Sequence, residues 1–108
     1  PYSIEENVDP EEAFVASLSS CHMLFFLSIA AKQNWLIDSY EDRAIGILEK
    51  NAEGKLAMTL VTLDPKIYYS GSKPSRKQEL KMHHLAHQEC FIANSVKTKV
   101  EIKASTAY

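Results

Sequence analysis

The sequence predicts an α+β fold in which residues 1–108 form one domain. Three observations predict this class. A long apolar stretch with helical spacing comes first, two strand-like segments then flank a turn-rich tetrad, and an amphipathic helix precedes a strictly alternating strand. The predicted order is helix, hairpin, helix, strand, so that an antiparallel sheet packs with a long buried central helix and a second helix.

The first helix is predicted to begin at Pro10. Asp9 is its expected N-cap, proline occupies the first helical position, and Glu12 follows three residues after the cap. From residue 13 to residue 31 the chain is almost wholly apolar or small, and the helix should end near residues 32–34. A helix that is apolar on nearly all sides is covered by other elements or by a second subunit.

A hairpin is predicted to follow this helix. Residues 40–50 and 55–63 are strand-like, and they flank the tetrad Asn-Ala-Glu-Gly at residues 51–54. Pro65 interrupts the second strand, which indicates an edge or a bulge before residues 66–70.

A second helix and a last strand complete the predicted fold. Ser75 caps the helix and Gln78 follows at the spacing of a capping box, so the helix should extend to about Glu89. Residues 96–102 alternate between apolar and charged side chains, as a half-buried strand does. Residues 1–8 and 103–108 are expected to be irregular and loose.

Charge and composition exclude several functional classes. Lysine and arginine number 12 against 14 aspartates and glutamates, a net charge of −2, which disfavours a nucleic-acid partner. The apolar stretch over residues 23–31 is about half of what a membrane span requires, and no signal peptide is evident. Two cysteines without a secretion signal indicate reduced thiols, so we expect a cytoplasmic protein without a membrane partner.

Cys21 lies inside the predicted apolar helix. A buried cysteine is usually an inert packing residue, and the residues alone favour that interpretation. A reactive thiol needs a positive neighbour or hydrogen-bond donors, and the helix N-terminus is about three turns away. Nothing nearby in the sequence activates this thiol.

Cys90 ends a histidine-rich segment. His83, His87 and Cys90 stand at positions i, i+4 and i+7 of the second helix, with His84 beside them. This spacing is plausible for zinc, but the glutamate of H-E-x-x-H and any C-x-x-C pair are absent. A polar, partly exposed helix face is the favoured interpretation, and we predict neither a metal site nor a cofactor.

Three segments resemble the OsmC/Ohr family of osmotically inducible and organic hydroperoxide resistance proteins. They are N-V-D-P-E-E-A-F at residues 7–14, S-S-C-H-M at residues 19–23 and E-C-F-I-A-N-S-V at residues 89–96. They occur in the family's order over essentially the whole chain, and the Ser-Cys-His context resembles an OsmC-like branch. The resemblance implies an OsmC-like fold and a thiol-dependent peroxidase that acts on organic hydroperoxides in oxidative-stress defence.

The resemblance also implies roles for individual residues. Cys21 would be the peroxidatic cysteine, Cys90 the resolving cysteine that forms a disulfide with it, and an external dithiol the reductant. Glu11 matches the family's acidic residue. The family's activating arginine lies on strands that precede the matched segments, and neither Arg43 nor Arg76 matches its position, so we expect that the chain lacks those N-terminal strands.

Helix geometry predicts a second subunit. On one continuous helix, Glu11 and Cys21 are about 15 Å apart along the axis and rotated by roughly 80°. Two chains that pack together could bring Glu11 of one chain to the thiol pocket of the other, so an interlocked homodimer is predicted. The alternative function is a zinc-binding or small apolar-ligand-binding module without peroxidase activity.

Overall fold

The computed structural model describes residues 9–103 and has the predicted α+β class. The expected irregular segment 1–8 lies outside the described residues, as does the expected loose tail after Lys103. Within residues 9–103 the elements in chain order are α1 (Pro10–Lys32), β1 (Ile37–Asp42), β2 (Ile45–Lys50), β3 (Leu56–Leu63), β4 (Pro65–Tyr69), α2 (Arg76–Glu89), α3 (Phe91–Ser95) and β5 (Lys99–Ile102).

Helix α1 begins and ends where its sequence predicts. The carboxylate of Asp9 accepts a hydrogen bond from the Glu12 backbone N–H at 2.8 Å, which satisfies one of the unpaired donors of the first turn. Its fully buried residues recur every four positions and form one stripe along the helix. They are Leu18, His22, Phe26 and Ala30. Other apolar positions stay accessible in the single chain, and Leu24 is 61% exposed.

Strands β1 to β4 form one long antiparallel hairpin that bends once. The continuous strand predicted over residues 40–50 is wrong, because the chain leaves the β1–β4 sheet at residues 43–44 and enters the β2–β3 sheet. The Asp42 carboxylate accepts a hydrogen bond from the Asp64 backbone N–H at 2.7 Å, which ties the two strands together at the bend. Pro65 has no N–H to donate and opens β4, so the predicted interruption is a bend shared by both strands.

The tip of this hairpin is the predicted tetrad. The side-chain oxygen of Asn51 accepts hydrogen bonds from the backbone N–H groups of Glu53 at 2.9 Å and Lys55 at 3.1 Å. Gly54 has a φ of +76°, in the left-handed region that favours glycine. These local contacts confirm the turn.

The last part of the chain differs from its prediction. A short helix, α3, follows α2, and the strand predicted over residues 96–102 is reduced to β5. Just before β5, the hydroxyl of Thr98 donates a hydrogen bond to the Met58 carbonyl of β3 at 2.6 Å. Strand β5 pairs with β3 in parallel, so the sheet of order β2-β3-β5 is mixed, whereas β1–β4 is antiparallel.

Two apolar clusters form the core, and α1 contributes to both. The first contains residues of α1, β4 and α2, namely Phe26, Ala30, Ile67, Met82 and Ala86. The second contains Leu18, Val61 and Leu63, with α3 and β5 packed against them. Helix α2 belongs to the first cluster and α3 to the second, so the chain changes cluster at Cys90.

The apolar part of helix α1 extends beyond its central stretch over residues 23–31. It has 23 residues with a mean hydropathy of 1.8 over its most apolar window, so by length and composition it could cross a membrane. The apolar length predicted from residues 23–31 was therefore too short. Buried core helices and signal sequences meet the same criterion, and in this chain 28% of that window is buried. Helix α1 packs against α2, α3 and strands of both sheets.

Candidate active site

The structure brings the two cysteines of the chain together. Cys21 lies in the middle of α1 and is partly exposed, whereas Cys90 is only 1% exposed and joins α2 to α3. Both thiols are free, and a side-chain hydrogen bond links them. The site therefore consists of one accessible thiol and one buried thiol in contact.

The backbone around Cys90 explains how a buried thiol faces α1. Cys90 is in an extended conformation, with φ −65° and ψ 111°, so α2 ends and α3 begins at this residue. Its N–H donates to the His87 carbonyl at 3.3 Å, and its carbonyl accepts from the Asn94 N–H at 3.0 Å. Cys90 is therefore held on both sides by backbone hydrogen bonds.

The surroundings of Cys90 favour its protonated form. Burial raises the pKa of the Cys90 thiol, and the hydrogen bond with Cys21 raises it further. The backbone N–H groups of Ala93 and Ile92 partly oppose this rise. At neutral pH the side chain of Cys90 is therefore a protonated thiol.

A groove of about 480 Å³ runs past Cys21. Phe25 and Phe91 meet edge to face across it, with ring centroids 5.1 Å apart. Its lining contains no charged side chain among the described residues, and Arg43 and Arg76 do not contribute to it. The lining residues are Ser17, Ser20, Cys21, Leu24, Phe25, Ser28, Phe91 and Ile92. The groove can therefore accept an apolar molecule beside the accessible thiol.

Glu11 lies elsewhere in the single chain. It is exposed on the first turn of α1 and lines a second groove, to which Ser19 and Asp42 also contribute. Helix α1 is continuous from Pro10 to Lys32, so the separation of about 15 Å expected between Glu11 and Cys21 is retained. One chain does not bring the predicted acidic residue to the thiols.

The histidine-bearing face of α2 packs against α1. The interpretation as a partly exposed polar face is wrong for His83, which is 2% exposed, and correct for His84. His83 Nδ1 lies 3.0 Å from His22 Nε2, at hydrogen-bond distance, and the two ring planes are within 10° of each other. Among residues 9–103 no group of three histidine, cysteine or acidic side chains is arranged to hold a metal ion. The absence of a functional metal stays a prediction.

Both partners of the histidine pair are neutral at neutral pH. The pKa of His22 is lowered from its ordinary 6.5 to about 4, chiefly by burial and then by nearby His87. The pKa of His83 is lowered to about 3, chiefly by burial and then by His22. His22 was not among the predicted site residues. Its place between Leu18 and Phe26 in the four-residue period of α1 nevertheless indicates that it faces the core.

The fold and the site define an α+β protein with two free thiols in contact. Residues 5–105 match the family model described as OsmC-like protein, and the chain belongs to the OsmC-like family. A solved OsmC-like protein of unknown function from Vibrio cholerae is 63% identical, with a TM-score of 0.91. The match covers 95% of this chain and 68% of that protein.

More distant structures share the fold. The organic hydroperoxide resistance protein OhrB of Bacillus subtilis is 24% identical, with a TM-score of 0.70, over 90% of this chain and 71% of its own. An organic hydroperoxide resistance protein OsmC from Legionella pneumophila is 19% identical, with a TM-score of 0.70, over 89% and 66% of the two chains. A search of curated proteins gave no match. These likenesses confirm the predicted OsmC-like fold.

Proposed function

We propose that the protein is a thiol-dependent peroxidase that reduces organic hydroperoxides. The Cys21 thiolate attacks the terminal peroxide oxygen, the O–O bond breaks, and the alkoxide leaves with a proton as an alcohol. Cys21 becomes a sulfenic acid. The Cys90 thiol then condenses with it, which forms a disulfide and releases water.

The contrast between the two thiols carries this proposal. Cys21 is partly exposed beside an apolar groove, whereas Cys90 is buried, hydrogen-bonded to Cys21 and protonated at neutral pH. A peroxide with an apolar group can reach Cys21 and cannot reach Cys90 first. Cys21 is therefore the peroxidatic residue, and Cys90, which contacts it, is the resolving residue.

A homodimer would complete the site. Glu11 is about 15 Å along α1 from Cys21, so the acidic residue that contributes to a given thiol site belongs to the other subunit of an interlocked pair. Exposed apolar side chains outside the groove, such as Leu36 and Leu56, 68% and 69% exposed, supply surface that a second chain would cover. Each of the two sites would then be built from both chains.

The cycle closes with an external dithiol. Two thiols of the reductant convert the Cys21–Cys90 disulfide back to two cysteine thiols and are themselves oxidised to a disulfide. The protein would act in the cytoplasm, where dithiol reductants keep cysteines reduced. Nucleic acid and membrane have no part in it.

Mass spectrometry of non-reducing digests tests the proposal. After one equivalent of cumene hydroperoxide, the peptides that contain Cys21 and Cys90 should be joined by a disulfide. Cys90→Ser should stop after one turnover with a sulfenic acid on Cys21, and Cys21→Ser should consume no peroxide. Equal residual turnover in the two variants would contradict the assigned roles.

The groove also favours a second function, binding of a small apolar ligand without peroxide chemistry. Its lining is mostly apolar, with Leu24, Phe25, Phe91 and Ile92 around Cys21. Calorimetry with the double variant Cys21→Ser/Cys90→Ser separates the two functions. If the protein is a ligand-binding module, the variant retains tight binding of an apolar molecule. If it is a peroxidase, the variant no longer consumes peroxide.

A further inference from the structure

The buried pair His22–His83 joins the two helices that carry the thiols. His22 immediately follows Cys21 on α1, and His83 lies on α2, whose C-cap is Cys90. The contact between His22 Nε2 and His83 Nδ1, at 3.0 Å, links positions 61 residues apart in sequence. Both the histidine pair and the cysteine pair therefore bridge the same two helices.

The hydrogen bond between the rings is directional. One neutral ring donates its N–H and the other accepts, so the bond requires both a fixed separation and a fixed ring orientation. Phe26 stacks on the face of His83 with ring centroids 4.3 Å apart, which restricts the ring further. The other ring nitrogens, His22 Nδ1 and His83 Nε2, have no hydrogen-bond partner among the described residues. The contact between the rings is thus the one side-chain hydrogen bond that orients them among the described residues.

We propose that His22 and His83 are positioning residues that fix the register of α1 against α2 and thereby hold Cys21 and Cys90 in the geometry that disulfide formation requires. An apolar pair at the same place would constrain the register of the two helices less, because apolar contacts are not directional. Disulfide geometry tolerates little displacement, since the Cα atoms must lie within about 7 Å. This inference rests on the proposed two-cysteine chemistry.

The equilibrium constant for disulfide formation measures this effect directly. In a buffer of reduced and oxidised dithiothreitol, the two cysteine thiols lose two electrons and two protons to oxidised dithiothreitol, which becomes the reduced dithiol. Quantitative mass spectrometry of alkylated protein gives the oxidised fraction. His83→Leu should lower the equilibrium constant at least tenfold, which corresponds to about 30 mV.

Two further variants separate positioning from general stability. His83→Asn keeps a polar atom near the place of Nδ1 and should stay within threefold of the unmodified protein. Leu63→Ala removes a buried side chain of the second apolar cluster, away from the histidine pair, and should also stay within threefold although it destabilises the fold. If Leu63→Ala lowers the constant as much as His83→Leu does, the positioning role is overturned.

The double variant His22→Leu/His83→Leu keeps the test informative if the single variant does not fold. It removes both partners together and so leaves neither imidazole of the pair without the other, so it should fold and still show the tenfold loss. An unchanged constant in the double variant overturns the positioning role. If the unmodified protein itself forms no Cys21–Cys90 disulfide in this buffer, the proposed function fails, and the positioning role fails with it.

Discussion

Acid should destabilise this protein through the buried histidine pair. The pKa of His22 is about 4 and that of His83 about 3 in the folded chain, against 6.5 in the unfolded chain. Below pH 6.5 the unfolded chain therefore binds more protons than the folded chain. The contribution of the pair to the free energy of unfolding is fully present above pH 6.5. It is lost as the pH falls toward the pKa values of the folded chain.

The size of this loss follows from the two shifts. A pKa that differs by one unit between the folded and the unfolded chain corresponds to roughly 1.4 kcal/mol. Between pH 7 and pH 4, each histidine therefore lowers the free energy of unfolding by about 3 kcal/mol. Together they remove about 6 kcal/mol, which is comparable with the whole stability of a typical domain, about 5–15 kcal/mol. Partial unfolding near pH 4 is the expected result.

The double variant His22→Gln/His83→Asn isolates this contribution. His87, whose charge lowers the pKa of His22, is present in both proteins, so the difference between them reports chiefly the pair. Urea unfolding followed by circular dichroism at pH 7, 6, 5 and 4 gives the free energies. The variant should start less stable at pH 7 and lose less stability on acidification. Equal losses in both proteins between pH 7 and pH 4 would refute the reasoning.

Three further predictions follow from other contacts. Gly46→Ala should cost about 1–3 kcal/mol in urea unfolding, because its new Cβ would overlap Met58 Cε and lie 2.6 Å from Val15 Cγ2. An unchanged unfolding midpoint would contradict this close packing. Tyr69→Phe should cost about 1–3 kcal/mol, because the buried Glu79 carboxylate loses the hydroxyl that donates to it at 2.6 Å, and thermal unfolding of the variant tests it. Iodoacetamide should modify the partly exposed cysteine at residue 21 faster than the buried one at residue 90 in the folded protein, with the difference abolished in urea. Mass spectrometry would contradict this order by finding equal rates without urea.

Features that depend on local contacts could be predicted from the sequence. Asp9 and Ser75 cap their helices through backbone N–H groups three residues later, and Asn51 organises the hairpin tip within four residues. Each of these contacts needs only a few neighbouring residues, so the residue types and their spacing suffice. The start of both long helices and the place of the turn were accordingly correct.

Features that depend on distant contacts could not be predicted. The bend of the hairpin rests on a hydrogen bond between Asp42 and Asp64, which are 22 residues apart, and the histidine pair spans 61 residues. No local pattern reports such a pairing. The two cysteines were paired only through the family resemblance, because their spacing alone left inert core residues and a zinc site as alternatives.

The position of the thiols follows from how the core is divided. Helix α1 packs in one apolar cluster through Phe26 and in the other through Leu18, and Cys21 lies between these two positions. The chain passes from the first cluster to the second at Cys90, where α2 ends and α3 begins. The thiol contact is therefore at the boundary between two separately packed halves. A directional contact between α1 and α2 constrains the geometry of that contact more tightly than apolar packing alone.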